Sequence, residues 1–338
     1  MIELIDNTLR FSFPEVHPDA GISIDFRRTL RIPDDGDTYP LPPGMGTFPL
    51  KHVDDCKVPP GWTKRGGVIM PMYQSEAMWL DFEPRYIPDR ETSYPFAVKV
   101  ATGKINALTG DFWRNPLEKT PQDYMVSTEQ PWLDGYCVEE GIIRQFVSMP
   151  LGSGYSAEEQ ITGESTFGGL QIIVYPMRPD IFERRFPKIE RDRSAMYDSG
   201  IRYCIAEPAP YRMGLSPGGK IRQKIYPDPF DFNDWDHQTS SRCFVHIANS
   251  LMWRAITGEN PLTVPFTARE YENHGLPWFE YYDDHLKTIP GASILKKLKT
   301  IVQKAKDKKE NPLPENETVI PGNIKQIVPE NRVREGEF

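Results

Sequence analysis

Alternation of apolar and polar residues is the main pattern along this chain. Leu9–Phe13 and Ile22–Phe26 each place an apolar residue at every second position, which gives an extended strand one apolar face. Similar short runs lie at 67–73, 77–82 and 96–100. Turns rich in proline and glycine separate them, and helices exclude proline from their interior. The pattern predicts a mainly β, sandwich-like protein with short capped helices and one longer C-terminal helix.

The stretch from 144 to 175, RQFVSMPLGSGYSAEEQITGESTFGGLQIIVY, carries the clearest local signals. Ser156 and Glu159 have the spacing of a capping box, in which a hydroxyl and a carboxylate satisfy the free amides at a helix start. Gly163 is placed to end that helix in the left-handed conformation. Leu170–Tyr175 is apolar on both faces, as in a buried strand. The stretch predicts a strand, a short helix and a second strand.

The front of this stretch recurs later in the chain. The segment 242–259, RCFVHIANSLMWRAITGE, matches it at Arg, Phe and Val and again at Ile-Thr-Gly-Glu, with three residues fewer between the matches. Two matches in the same order indicate duplication of a strand–helix unit. Convergence is the alternative, because Thr-Gly after an apolar residue is a good helix stop.

These patterns divide the chain into three parts. We predict a β-rich half over 1–178 and a second β-rich half with the related strand–helix unit over 200–290, separated by a charged surface run. The third part, 291–338, combines the C-terminal helix with an extended arm. Apolar residues recur at helical spacing between Ile294 and Ala305, which predicts that helix. We expect the arm to wrap around its own subunit or a neighbour.

Charge and composition narrow the possible functions. The chain has 338 residues, 40 of them basic and 48 acidic, and a net charge of -8. An acidic balance argues against a nucleic-acid binder, whose affinity depends on neutralising phosphates. The four cysteines are widely scattered, which predicts buried free thiols rather than a disulfide framework or a zinc site. With no apolar run long enough to cross a bilayer, we expect a soluble, cytoplasmic protein without membrane insertion.

The acidic segment DPFDFNDWDH, at 228–237, is the densest group of possible ligand-binding side chains. Carboxylate and amide oxygens are the ligands that calcium prefers, and an indole ring can stack on a sugar. The candidate ligand-binding residues are Asp228, Asp231, Asp234, Trp235, Asp236 and His237. The calcium candidates, for the one cofactor considered, are Asp231, Asn233, Asp234 and Asp236. The alternative is an acidic turn whose aspartates cap neighbouring backbone amides.

Aromatic or proline-rich sequence marks four further regions. The segment LPWFEYYDDH brings together the interface candidates Trp278, Phe279, Tyr281 and Tyr282, since aromatic residues are enriched at the centres of protein contacts. The proline-rich segment 33–61 predicts a long ordered loop that either binds a partner or wraps the surface. Trp79 lies among the carboxylates Glu76, Asp81 and Glu83, a mixture that could suit sugar chemistry or could be the wet face of a strand. Trp132, in a polar turn, is interpreted as a structural plug.

Five segments of the chain resemble a widespread family of uncharacterised microbial proteins. They are FRRTLRIPDDGDTYPLPPGMGTFPL, IRQFVSMPLGSGYSAEEQITG, GGKIRQKIYPDPFDFNDWD, SRCFVHIANSLMWRAITGE and HGLPWFEYYDD. The resemblance spans most of the chain and implies a single architectural unit. It transfers no catalytic residue, because members of that family share no recognised enzyme motif.

The chain contains no phosphate loop, strict Gly-x-Gly-x-x-Gly fingerprint or His-Glu-x-x-His motif. We therefore expect a non-catalytic binding or assembly protein that forms homo-oligomers through the proline-rich loop, the aromatic cluster and the C-terminal arm. The alternative is a carbohydrate-active protein, either a lectin or a carboxylate-based hydrolase, whose partner is a glycan and for which calcium is a candidate cofactor.

Overall fold

A computed structural model of the chain describes residues 1–189, 212–260, 263–280, 287–311 and 314–326. The strands are β1 (Ile2–Ile5), β2 (Thr8–Ser12), β3 (Gly21–Leu30), β4 (Thr38–Tyr39), β5 (Gly44–Thr47), β6 (Lys51–His52), β7 (Val68–Pro71), β8 (Glu76–Pro84), β9 (Tyr86–Ile87), β10 (Thr92–Ser93), β11 (Phe96–Thr102), β12 (Ile105–Asn106), β13 (Met125–Val126), β14 (Trp132–Leu133), β15 (Gly135–Glu139), β16 (Ile142–Pro150), β17 (Leu170–Pro176), β18 (Arg212–Arg222), β19 (Ser241–Ala248), β20 (Trp278–Glu280) and β21 (Ile324–Gln326). The helices are α1 (Pro60–Thr63), α2 (Ala157–Thr162), α3 (Pro179–Arg185), α4 (Ser250–Thr257), α5 (Ala268–Asn273), α6 (Ser293–Lys296) and α7 (Ile301–Lys308).

The prediction of a mainly β fold with short capped helices is confirmed. Among the described residues, seventeen strands form one hydrogen-bonded sheet. Its main path runs β1-β2-β3-β8-β16-β18-β19-β17-β11, with antiparallel neighbours throughout. β18 and β19 from 200–290 lie between β16 and β17 from 1–178, so strands of the two predicted halves belong to one sheet.

The two ends of the sheet path pack on each other around a single main core. Phe13, just after β2, and Phe96, at the start of β11, have ring centroids 5.8 Å apart. Phe26 of β3 and Ile172 of β17 belong to the same buried cluster. Burial of such apolar surface is the main favourable term in folding. No helix within the described ranges combines the length and the apolar composition needed to cross a membrane.

The stretch at 144–175 folds as its local signals predict, into β16, α2 and β17. Ser156 caps α2, and its backbone amide and hydroxyl donate to the Glu159 carboxylate at 3.1 and 2.7 Å. The same carboxylate accepts from the amides of Gly152 and Gly154, both at 2.8 Å. Gly163 ends the helix with a φ of 75°. One glutamate therefore fixes both the helix start and the loop before it.

The two copies of the proposed repeat contain the same elements in the same order, but they bury different residues. β19 and α4 follow the same order as β16 and α2, and Gly258 ends α4 in the left-handed conformation as Gly163 ends α2. Phe146 is buried in the main core, whereas Phe244 is half-buried and lies outside it. The neighbouring Val245 occupies that core instead. Because the two strands turn opposite residues inward, duplication stays a hypothesis.

The prediction of one longer C-terminal helix was wrong, because the structure has two short helices, α6 and α7, in its place. Thr300 caps the second helix, accepting from the amide of Gln303, whose side chain accepts in return from the amide of Thr300. This Thr-x-x-Gln capping box starts a new helix inside the apolar pattern. The periodicity continued through the break because both helices pack apolar residues inward.

The described part of the C-terminal arm packs against its own chain. β21 pairs in parallel with β20, joining Ile324 to Trp278. Val319 is buried among residues of the second core cluster, which includes Trp278. Within its own chain, the arm thus supports β20. Residues 327–338 lie outside the described residues.

Glu159→Ala is expected to lower the free energy of unfolding by about 2 kcal/mol, because it removes a capping box and two further hydrogen bonds. Urea denaturation followed by circular dichroism measures this. Glu164→Ala, at an exposed position just after the same helix, is the matched control and should stay near the parent value. Equal stability of the two variants would contradict the role given to Glu159.

Candidate functional site

An open cavity of about 450 Å³ lies on the outer face of the sheet. The described side chains of its wall are mainly apolar and include one carboxyl group. We call it the aromatic pocket, and its lining residues are Leu41, Pro42, Pro43, Gly44, Trp79, Trp132, Asp134 and Phe279.

Two tryptophans of neighbouring strands form one side of the aromatic pocket. Along β8, Leu80 and Phe82 are buried in the main core, whereas Trp79 and Asp81 are half-buried. This alternation turns Trp79 outward. Short strand β14 pairs with β8 so that Trp132 lies opposite Asp81. Directly paired residues share a face of the sheet, so both indoles lie on its outer side.

The proline-rich loop and β20 form the opposite side. Leu41 and Phe279 exchange backbone hydrogen bonds of 2.8 and 2.9 Å, which attach the loop to β20. The hydroxyl of Thr29 on β3 donates to the carbonyl of Pro43 at 2.8 Å. These bonds hold two prolines, which have no amide donor, against the cavity. Part of the predicted loop is thus ordered as a wall of the pocket.

Among the residues that the structure describes, Asp134 is the single carboxyl group of the lining. Its side chain is buried, at 5% exposure, and the Trp132 indole Nε1 donates to Oδ2 at 2.6 Å. Within the described residues, that indole is the one hydrogen-bond donor to the carboxyl group. The backbone amide of Asp134 donates to Gln223 Oε1 at 3.0 Å. Burial raises the pKa of Asp134 to about 7, although the indole hydrogen bond opposes this shift.

A charged cluster lies on the same face of the sheet. Arg27 Nη2 is 2.7 Å from Asp25 Oδ2 and 2.9 Å from Asp81 Oδ2. The register pairs Arg27 with Trp79 and Asp25 with Asp81, so these side chains are neighbours of the pocket wall. Burial raises the pKa of Asp81, and the Arg27 guanidinium opposes that shift. Two carboxylates share one cation, which leaves this cluster of three residues with one net negative charge when both are ionised.

The acidic segment at 228–237 is held together by internal hydrogen bonds. Asp228 Oδ2 accepts from the Tyr124 hydroxyl at 2.5 Å and from the Trp235 indole at 2.9 Å. Trp235 is 1% exposed, so its ring offers no surface for stacking on a sugar. Its burial removes the observation on which the predicted sugar platform depended.

The other acidic side chains of that segment cap backbone amides. Asp231 and Asp234 form a reciprocal cap around the turn Phe232–Asp234, and Arg185 Nη2 lies 2.6 Å from Asp234 Oδ2. Asp236 accepts from the amides of residues 238 and 239, and His237 Nε2 lies 2.9 Å from the Phe232 carbonyl. Asn233 donates no side-chain hydrogen bond to these carboxylates. In the part of the chain that the structure describes, no three His, Cys, Asp or Glu side chains converge on a possible metal position.

The predicted aromatic interface is divided between the core and the pocket. Trp278 is fully buried, lies edge-on to Tyr271 and donates from its indole to Glu272 at 2.8 Å. It is therefore not available for a subunit contact. Phe279 is half-buried and lines the pocket. Tyr281 and Tyr282 lie outside the described residues.

Trp132 and Asp134 were not predicted as site residues. Trp132 was interpreted as a plug, and Asp134 carries no local signature. The signal that came closest was the mixture of carboxylates and aromatics around Trp79. A strand whose outward residues include a tryptophan was visible in the sequence, but its partners across the pocket were not.

Comparison with protein-family models, with curated protein sequences and with solved structures found no match for this chain. Function is therefore inferred from the geometry of the pocket.

Asp134→Asn is expected to stabilise the protein increasingly as the pH rises from 4 to 7. The folded-state pKa of about 7 lies above the ordinary value of 3.8, so the folded state holds the proton more tightly than the unfolded state does. The contribution of Asp134 to the free energy of unfolding is fully present below pH 4. It is lost as the pH rises through 7, by about 1.4 kcal/mol for each unit of difference between the folded-state and unfolded-state pKa. The asparagine side chain does not titrate, so the variant lacks this contribution to the pH dependence of stability.

The measurement is urea denaturation of both proteins between pH 4 and 8. Glu76, whose pKa burial also raises to about 7, is present in both and cancels in the difference. Asp111→Asn, at an exposed position, is the matched control. A stability difference that does not change with pH would contradict the desolvation of Asp134.

Proposed function

We propose that this is a non-catalytic small-molecule-binding protein and that the aromatic pocket is its ligand site. The observation that supports this is the convergence of three half-buried aromatic rings on one cavity with a single buried carboxyl group. Aromatic surface left in contact with water is unfavourable by about 25 cal/mol for each Å². A bound ligand would cover that surface.

The size and lining of the pocket favour a small organic molecule. Ligand sites are concave, mostly apolar and roughly 300 to 1,000 Å³ in volume, with a few polar groups that orient the ligand. The aromatic pocket, at about 450 Å³, falls in this range. Asp134 is the group that would orient a ligand, because it is the one ionisable residue in the described part of the lining.

The same features favour binding over catalysis by carboxylates. Hydrolysis of a glycosidic bond requires two carboxyl groups that face each other across the substrate. In the described lining, Asp134 stands alone among proline and aromatic side chains.

The carbohydrate alternative now depends on different residues. Trp79 and Trp132 offer flat rings that reach the cavity, so they could stack on a sugar as Trp235 was predicted to do. The ring hydroxyls of a sugar would then face Pro42 and Pro43, which have no amide donor to offer. Unpaired hydroxyls are costly to bury, so an apolar ligand fits the lining better than a sugar.

The predicted homo-oligomer stays a prediction. Two of its four aromatic contact candidates, Trp278 and Phe279, lie in the core and in the pocket. Light scattering of the purified chain tests it, and a strict monomer would count against it.

The pocket is tested with soluble probes detected by saturation-transfer NMR. The probes are indole, choline, 3,3-dimethylbutan-1-ol and glucose. Gly44→Leu should weaken binding of every probe by about tenfold or more, since a side chain at 44 would begin 3.7 Å from the Trp79 ring and extend across the cavity. Gly44 does not occupy the left-handed region, so the backbone accepts leucine without strain.

Trp79→Leu should have a similar effect, because it removes one wall. Trp113→Leu is the control: this indole is also half-buried, but it lies outside the pocket. The proposal fails if no probe binds the parent protein, or if binding is the same in Gly44→Leu and Trp79→Leu as in the parent.

A further inference from the structure

We propose that the aromatic pocket selects a cation with a compact apolar head, such as a methylated ammonium group, held between the aromatic rings with Asp134 as its counter-ion. This inference rests on the proposed function and names the ligand class for the same site.

The rings are the first reason. A cation is attracted to the negative face of an aromatic ring, and tryptophan provides the strongest such face. Trp79, Trp132 and Phe279 line one cavity. Among the described residues, no lysine or arginine of the protein lies over the ring of Trp79 or Phe279. A ligand cation would therefore meet no lysine or arginine of the described residues over these two rings.

The carboxyl group is the second reason. Asp134 is buried and has one hydrogen-bond donor, Trp132. An ionised carboxylate in an apolar wall is unfavourable unless a positive charge is close to it. A cationic ligand supplies that charge, whereas a neutral ligand leaves the carboxyl group to be neutralised by a proton. Asp134 therefore discriminates between ligands of the same shape by their charge.

The rest of the lining explains why the ammonium group would be methylated. A primary ammonium group has three N–H donors that must find acceptors when buried. The described side chains of the lining offer one acceptor group, the Asp134 carboxyl, and are otherwise aromatic, aliphatic or proline. Methyl groups need no acceptor and pack on proline and aromatic surfaces. We therefore expect a trimethylammonium head to bind more tightly than a primary ammonium head.

The charged side chains on the strands next to the pocket also favour a positively charged ligand. Asp25 and Asp81 share the single guanidinium of Arg27 on the face that carries Trp79. Across the pocket, Glu280 follows Phe279 and lies 3.5 Å from Arg222. Taken together, these neighbours carry three carboxylates and two guanidinium groups. Their balance is negative before Asp134 is counted, which favours a positive ligand.

Matched ligands separate charge from shape. Choline and 3,3-dimethylbutan-1-ol have the same size and branching, but only choline is charged, and ethanolamine carries the charge without the methyl groups. Isothermal titration of the full chain with each compound measures the dissociation constants. We expect choline to bind about tenfold or more tightly than either of the others, as a desolvated cation–π contact and a counter-ion allow.

Variants then assign the preference to the residues. Asp134→Asn should abolish the advantage of choline over 3,3-dimethylbutan-1-ol while leaving the neutral compound bound. Trp79→Leu should weaken both ligands, and Trp113→Leu should weaken neither. Equal or tighter binding of the neutral compound by the parent protein would overturn the cationic ligand class and leave the proposed function intact. Binding of no probe at all would overturn both.

Discussion

The close approach of β15 to β16 is the constraint on which the aromatic pocket depends. A Cβ atom at Gly135 would lie 1.9 Å from the carbonyl oxygen of Arg144, so only glycine allows the two strands to meet there. β16 pairs along its other edge with β18, and along the same edge as β15, beyond Gly135, it pairs with β8. The preceding residue, Asp134, is thereby fixed below the sheet surface, where its carbonyl accepts from the amide of Phe146 at 3.2 Å.

This placement makes the pocket unfavourable for its own carboxyl group. Asp134 sits among rings and prolines that cannot solvate a charge, and the Trp132 indole offsets only part of the lost hydration. Removing such groups usually stabilises a protein, whereas binding sites retain them because a ligand completes the missing interaction. The main core, which runs from Phe13 to Ile172 and beyond, is large enough to support this local penalty.

Features encoded by neighbouring residues could be predicted, and features made by distant residues could not. Ser156, Glu159 and Gly163 specify a helix within eight residues, and the structure contains that helix with its caps. The pocket instead joins residues near 42, 79, 132 and 279, which only the completed sheet brings together. Local composition did not predict the burial of Trp235. An indole beside several aspartates can be a ligand platform or, as here, a buried hydrogen-bond donor to Asp228.

The two sides of the pocket differ in how extensively their strands are hydrogen-bonded to neighbouring strands. Trp79 and Trp132 lie on β8 and β14, and β8 also pairs with β3 along its whole length. Phe279 lies on β20, which is joined to Leu41 by a single bridge and to β21 by a three-residue pairing. Trp79 therefore has the more extensively hydrogen-bonded backbone, whereas the position of Phe279 depends on the burial of its neighbour Trp278 in the second core cluster.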